Sequence, residues 1–169
     1  SLAALTLLTS AEWQNTQPQQ ATPELNSLQR ISIATAAAIY LQIILGAILR
    51  HTGSGAEVHI IAAAILALLI FWLVDWITSS DYSELVPSAL LLRRLLFFQL
   101  TIGLATYIGK YTQTGAFFAS SVVLLATCHV ATGALMLATS VRLSLRTYHS
   151  FAHTQLSPGL PLASEQVSA

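Results

Sequence analysis

Two histidines lie within long apolar stretches of the sequence, and they are the residues best suited to chemistry. His59 opens the run "VHIIAAAILALLIFW", and His129 is the one interruption of a run from about 116 to 141. Ionisable residues within a membrane-spanning segment are costly and are functional candidates by default. The alternative is that each imidazole is hydrogen-bonded to a carbonyl of a neighbouring helix. Two such histidines on separate apolar segments favour a pair that shares one ligand.

The number of histidines restricts the ligand that they would share. Zinc requires about four ligands, and no full set of further Cys, Asp or His ligands is evident; Cys128 adjoins His129, but a buried cysteine is usually inert packing. Copper requires more soft or nitrogen ligands. Haem iron needs only axial ligands from the protein, because the porphyrin supplies the other four nitrogens. The sequence therefore predicts His59 and His129 as metal-binding residues that ligate a haem iron from opposite sides.

Several charged or ionisable residues are expected at the same end of the bundle as the histidines. Arg50 and Lys110 are the candidates for binding the haem propionates, since a guanidinium binds a carboxylate in bidentate fashion; Arg50 is alternatively a snorkelling interfacial residue. His51 would cap the pocket or contact a propionate, or be solvated. Glu57 is the candidate catalytic residue, as a proton-transfer group. It is alternatively a haem-edge contact or a solvated residue favoured by the helix dipole.

A short internal repeat brings further residues into the candidate pocket. The segment "LQIILGAIL" (41–49) aligns with "FQLTIGLAT" (98–106), and each carries a glutamine and a glycine four residues apart on one helix face. With one glycine of the last apolar run, the predicted pocket residues are Gln42, Gln99, Gly46, Gly103 and Gly133. Glycines let a flat ring approach closely, although ordinary small-residue packing between membrane helices is an alternative. Alternatively, the glutamines are buried polar residues that form hydrogen bonds between helices. The repeat predicts two helix pairs related by a pseudo-twofold axis.

The composition defines the environment that these residues occupy. Of the 169 residues, 54% are hydrophobic and only 8% are charged, whereas a soluble domain carries about 25% charged residues. We therefore expect most of the chain to lie in a lipid bilayer. The 7 basic and 7 acidic residues balance, which argues against a nucleic-acid partner. The single cysteine, Cys128, excludes an internal disulfide and a cysteine-rich metal cluster.

Four apolar segments are long enough to cross a bilayer, which requires roughly 20 residues in a helix. They cover about 31–49, 58–77, 94–110 and 116–141. Because backbone amides in lipid must be satisfied internally, these segments are predicted to be helices. The fold class expected is all-α, a transmembrane four-helix bundle over residues 28–148.

The flanking segments are more polar. Residues 1–27 are interpreted as the end of a preceding helix followed by a Pro/Gln-rich linker, although the first 13 would equally suit a short interfacial helix at a true terminus. Residues 149–169 are predicted to be a soluble tail, with His149 and His153 on its surface.

The basic residues predict the orientation of the bundle. Five lie on the side that carries both termini and two on the other: Arg30, Arg93, Arg94, Arg142 and Arg146 against Arg50 and Lys110. The excess of positive charge predicts cytoplasmic termini in a membrane of the bacterial inner-membrane type. The histidines then lie toward the outer side.

The sequence resembles one half of a haem A synthase. The segments that carry the resemblance are "LQIILGAILRHTGSG", "VHIIAAA", "LLFFQLTIGLATYIG" and "HVATGALMLATSVRLSLR", spread over roughly residues 28–148. That family has two four-helix halves. The C-terminal half holds a b-type haem and the N-terminal half oxidises haem O to haem A. The resemblance implies that this chain is the C-terminal half, that His59 and His129 are the axial ligands of haem b, and that a companion half is its partner.

The sequence also departs from that family. The turn after Arg50 is short and lacks the cysteine pair of some members, and Glu57 lies two residues before His59 where the catalytic half has an acid three residues before. Ile60 stands where that half has an arginine. Three functions are therefore kept open. The first is a haem b-binding half of an oxidoreductase of haem biosynthesis, and the second is a small bis-histidine cytochrome b for electron transport in a respiratory or photosynthetic complex. The third is a haem-free structural subunit.

Overall fold

The protein is a bundle of four long helices. The structure is a computed structural model that describes residues 23–111 and 119–155, with side chains between 25 and 110 and between 122 and 148. The helices are α1 (Pro23–Thr52), α2 (Ala56–Ser79), α3 (Val86–Tyr111) and α4 (Ala119–Gln155). The predicted end of a preceding helix, most of the linker and the tail from residue 156 lie outside the described residues.

Each helix contains a stretch long and apolar enough to cross a membrane. The stretches are Leu25–Thr52, Ala56–Ser79, Val86–Lys110 and Val122–Tyr148. The shortest has 24 residues and is about 36 Å long at 1.5 Å per residue, which exceeds the roughly 30 Å of a hydrocarbon core. The predicted fold class, an all-α four-helix transmembrane bundle, is confirmed, and the chain is an integral membrane protein.

Two helices extend beyond the apolar segments that define them in the sequence. Helix α1 begins at Pro23, within the segment interpreted as a linker, and α4 continues to Gln155. Proline is tolerated in the first turn of a helix, where its missing N–H has no intrahelical acceptor. Helix α4 has 37 residues and is about 55 Å long. It is therefore longer than a bilayer is thick.

The helices pack as a closed ring. Consecutive helices contact each other and α4 packs back against α1, so α1 lies diagonally opposite α3 and α2 diagonally opposite α4. Polar bonds reinforce the end of the ring where α1 begins. Gln29 Nε2 donates to the Thr147 carbonyl oxygen at 3.0 Å, and Arg146 Nη1 donates to the Glu84 carbonyl oxygen at 3.1 Å. Hydrogen bonds thus join α4 both to α1 and to the connection between α2 and α3.

The apolar core fills only one half of the bundle. We call residues 25–39, 66–96 and 132–148 the terminal half, and residues 40–65, 97–110 and 122–131 the histidine half. Fifteen of the sixteen buried hydrophobic residues described lie in the terminal half, among them Leu28, Ile70, Leu92 and Leu143. In the histidine half, Ile102 is the only described side chain that is buried. The buried apolar packing of the described residues is therefore concentrated at one end of the bundle.

The turn between α1 and α2 depends on two glycines. Gly53 and Gly55 have φ values of 71° and 85°, in the left-handed region that disfavours a Cβ atom. A Cβ atom at either position would meet nothing within 4 Å. Any cost of substitution there is thus a backbone cost.

We expect Gly53→Ala and Gly55→Ala each to lower the free energy of unfolding by about 1 kcal/mol, because alanine is less stable than glycine in the left-handed conformation. A steric clash does not add to this cost. Thermal unfolding in detergent, followed by circular dichroism, measures this. Val58→Ala on the exposed face of α2 is the control. Unchanged melting of both glycine variants would contradict the assignment of the strain to these two residues.

Candidate cofactor site

His59 lies in the first turn of α2 and rests against α1. Gln42 Nε2 lies 3.1 Å from His59 Nδ1 and 3.4 Å from His59 Nε2, and it donates to the His59 carbonyl oxygen at 2.9 Å. A Cβ atom on Gly46 would stand 3.2 Å from His59 Cε1. The half-buried imidazole therefore lies against the Gln42 amide and the backbone of Gly46.

His129 has the equivalent surroundings on the other helix pair. Gln99 Nε2 lies 3.1 Å from His129 Nε2. A Cβ atom on Gly103 would stand 2.9 Å from His129 Cε1, a distance that real Cβ atoms essentially never show. The glutamine and glycine of the sequence repeat thus contact the histidine of the following helix in both pairs.

The two histidines lie at a similar depth in the bundle. A Cβ atom on Gly133 would meet Gln99 Nε2 at 3.4 Å and Ile43 Cγ1 at 3.8 Å, which brings α1 and α3 into register near Gln42 and Gln99. Each glutamine touches its own histidine, so this chain of contacts places both histidines near the level of Gly133. If α2 and α4 began at the same level, the positions of His59 and His129 along them would predict a larger difference in depth. The contacts with the neighbouring helices do not support that larger difference.

The arrangement across the bundle is also consistent with a shared ligand. His59 and His129 are on the diagonal pair α2 and α4, and the two glutamines are on the diagonal pair α1 and α3. Both imidazoles are half-buried. A ligand in the middle of the histidine half would have one histidine on each side.

Buried polar atoms without a partner are concentrated at this site. Within the described part of the chain, four buried side-chain nitrogen or oxygen atoms make no hydrogen bond, and three of them are Gln42 Oε1, Gln99 Oε1 and His129 Nδ1. Leaving a buried polar atom unsatisfied costs about 1–3 kcal/mol. Native proteins carry few such atoms, and each calls for an explanation such as a bound group.

The remaining predicted residues lie at the end of the bundle nearest to the histidines. Arg50 and His51 are exposed in the last turn of α1, Glu57 is exposed in the first turn of α2, and Lys110 is exposed near the end of α3. Arg50 follows Gly46 by one helical turn, about 6 Å along the axis. These positions suit contacts with the edge of a ligand; the predicted propionate contacts and the role of Glu57 stay predictions.

The donor set suits haem better than a metal ion bound by protein alone. Among the residues that the structure describes, no group of three or more His, Cys, Asp and Glu side chains stands together, and a zinc site would require such a group. A porphyrin needs two axial ligands, which His59 and His129 can supply.

The sequence pattern did not show which histidine each glutamine and glycine would meet. Both residues of each pair were candidates, but their contact with the histidine of the next helix is a tertiary feature. The bond from Gln42 to the His59 main chain was also missed. The equal spacing of the two repeats was the signal from which a common role could have been inferred.

Comparisons with known proteins identify no relative. No family model, no curated protein and no solved structure matches this chain. The fold and the site thus define a four-helix integral membrane protein with two histidines, each in contact with a glutamine of the preceding helix. The resemblance to one half of a haem A synthase stays a prediction.

Proposed function

We propose that the bundle binds one haem b, with His59 and His129 as its axial ligands. The observation that carries the proposal is the placement of two imidazoles at similar depth on diagonally opposite helices, in the half of the bundle that lacks a packed apolar core. Haem supplies reversible one-electron chemistry at iron, and the protein supplies ligation, orientation and electrostatics.

Other residues of the chain would determine how the haem is oriented. Arg50 and Lys110 carry the positive charges expected to bind the propionates, and both lie at the end of the bundle nearest to the histidines. Gly46 and Gly103, which have no Cβ atom, let each imidazole lie close to the neighbouring helix.

The finer proposal is that the bundle is the C-terminal, haem b-binding half of a haem A synthase-like oxidoreductase. A companion four-helix half or another membrane subunit would then be its partner, and the oxidation of haem O would take place there. Both termini would be cytoplasmic, since five of the seven basic residues are on that side. What supports this assignment is the resemblance of the segments around His59 and His129.

One observation argues against catalysis by this chain alone, and it agrees both with a haem b-binding half and with the alternative of a small cytochrome b. Glu57 is exposed at the start of α2, and neither its spacing from His59 nor the following Ile60 matches the catalytic half of that family. An electron-transfer haem needs no acid at that position. The chain by itself would then pass electrons and would not oxidise a porphyrin substituent.

Titration of the purified, haem-free protein in detergent with haemin is expected to saturate at one haem per chain. The product should have the Soret and α bands of a six-coordinate, low-spin iron with two imidazole ligands. An unchanged haemin spectrum after incubation would refute the proposal and leave the haem-free structural subunit. Co-expression with a source of haem O and with the N-terminal half of a haem A synthase, followed by haem extraction, separates the two haem-binding alternatives: haem A that forms only when this chain is present supports the synthase half, and its absence supports the cytochrome.

A further inference from the structure

We infer that Gln42 and Gln99 are latches that hold the two imidazoles against α1 and α3 in the haem-free protein and are displaced when haem binds. The inference rests on the proposed function, since it concerns how the same histidines become available. It assigns to the glutamines a positioning role in the haem-free state.

The distances show that the amides cover the nitrogen atoms that a metal would need. Gln42 Nε2 is within 3.4 Å of both ring nitrogens of His59, and Gln99 Nε2 is 3.1 Å from His129 Nε2. A neutral imidazole has one nitrogen with a free lone pair. That lone pair cannot accept a hydrogen bond from an amide and bind iron at the same time. Binding of iron through His129 Nε2 therefore requires Gln99 to move.

The glycines complete each latch. The Cε1 edge of each imidazole lies against the bare backbone of Gly46 or Gly103, where a Cβ atom would be 3.2 or 2.9 Å away. The ring can therefore lie close to the neighbouring helix while the amide one turn earlier contacts its nitrogen. Both helix pairs repeat this arrangement.

The latched state also leaves polar atoms unsatisfied. Gln42 Oε1, Gln99 Oε1 and His129 Nδ1 are buried without a partner among the described residues. Movement of either amide on haem binding gives its oxygen an opportunity to find a donor. Each unsatisfied atom makes the latched arrangement less stable, which lowers the free energy that a ligand needs to displace the amides.

Gln99→Leu is the sharpest test, because the bond described for Gln99 is to the imidazole alone, whereas Gln42 also bonds to the main chain. Leucine keeps about the same size and removes the amide. We expect haemin to bind Gln99→Leu faster and about 3–10-fold more tightly, the range that corresponds to the loss of one ordinary hydrogen bond. Stopped-flow absorbance at the Soret band and an equilibrium titration measure the two quantities.

Gln29→Leu is the matched control. Gln29 is a buried glutamine of the terminal half whose amide bonds to the Thr147 carbonyl, so its loss should leave the haemin association rate unchanged. A second readout needs no haem: in haem-free protein labelled with ¹⁵N-histidine, Gln99→Leu should shift the ring resonances of His129 and Gln29→Leu should not.

The outcomes separate the latch from the haem site itself. Failure of the wild-type chain to bind haemin would overturn both proposals. Normal binding by the wild type, with unchanged or weaker binding by Gln99→Leu, would overturn the latch alone. Unshifted His129 ring resonances in Gln99→Leu would also overturn it.

Discussion

Replacement of either His59 or His129 by alanine is expected to abolish the low-spin haem spectrum, with a loss of haem affinity of at least 100-fold. Each histidine would supply one of only two protein ligands to the iron, and the described chain offers no third His, Cys, Asp or Glu grouped with them. The remaining histidine would leave iron five-coordinate and high-spin, or release it. Optical and electron paramagnetic resonance spectra of haemin-titrated protein measure the change.

Two variants control for effects on folding and on general haem adsorption. His51→Ala removes an exposed histidine from the last turn of α1 and should retain the low-spin spectrum. His59→Ala and His129→Ala should keep the helical circular dichroism of the wild type, because both side chains lie outside the packed terminal half. If both alanine variants folded and bound haem with an unchanged spectrum, the axial-ligand assignment would be wrong.

Gly103→Ala is expected to destabilise the haem-free bundle by about 1 kcal/mol net, because an overpacking cost of roughly 1–3 kcal/mol is partly offset by the higher helix propensity of alanine. The new Cβ atom would be 2.9 Å from His129 Cε1, so the imidazole must leave its place against α3. Gly46→Ala is the matched comparison, since its Cβ atom would be 3.2 Å from His59 Cε1. That smaller conflict is offset by the roughly 1 kcal/mol by which alanine favours a helix over glycine.

Chemical or thermal unfolding of the two glycine variants in the same detergent measures this difference. Gly103→Ala should unfold more readily than the wild type, and Gly46→Ala should differ little from it. Equal stability of both variants would show that the His129 ring moves away from Gly103 without cost, and the close contact would then have no energetic importance.

The sequence by itself determined the environment, the helix count and the candidate residues. A chain with 8% charged residues cannot cover a water-exposed surface, and a bilayer admits only helices or closed barrels, so four apolar runs imply four helices. The cost of placing His59 and His129 in such runs singled them out as candidates. The repeat of glutamine and glycine pointed to Gln42, Gly46, Gln99 and Gly103 as an equivalent set.

Only the tertiary structure decided how those residues meet. Gln42 and His59 are 17 residues apart, and Gln99 and His129 are 30 apart, so their contacts depend on the rotation and the axial shift of each helix. A membrane helix is apolar on most of its surface, and its periodicity therefore does not show which face is inside. The similar depth of the two histidines, the uneven filling of the two halves and the extension of α1 and α4 beyond their apolar runs all depend on packing between helices, which the one-dimensional pattern does not encode.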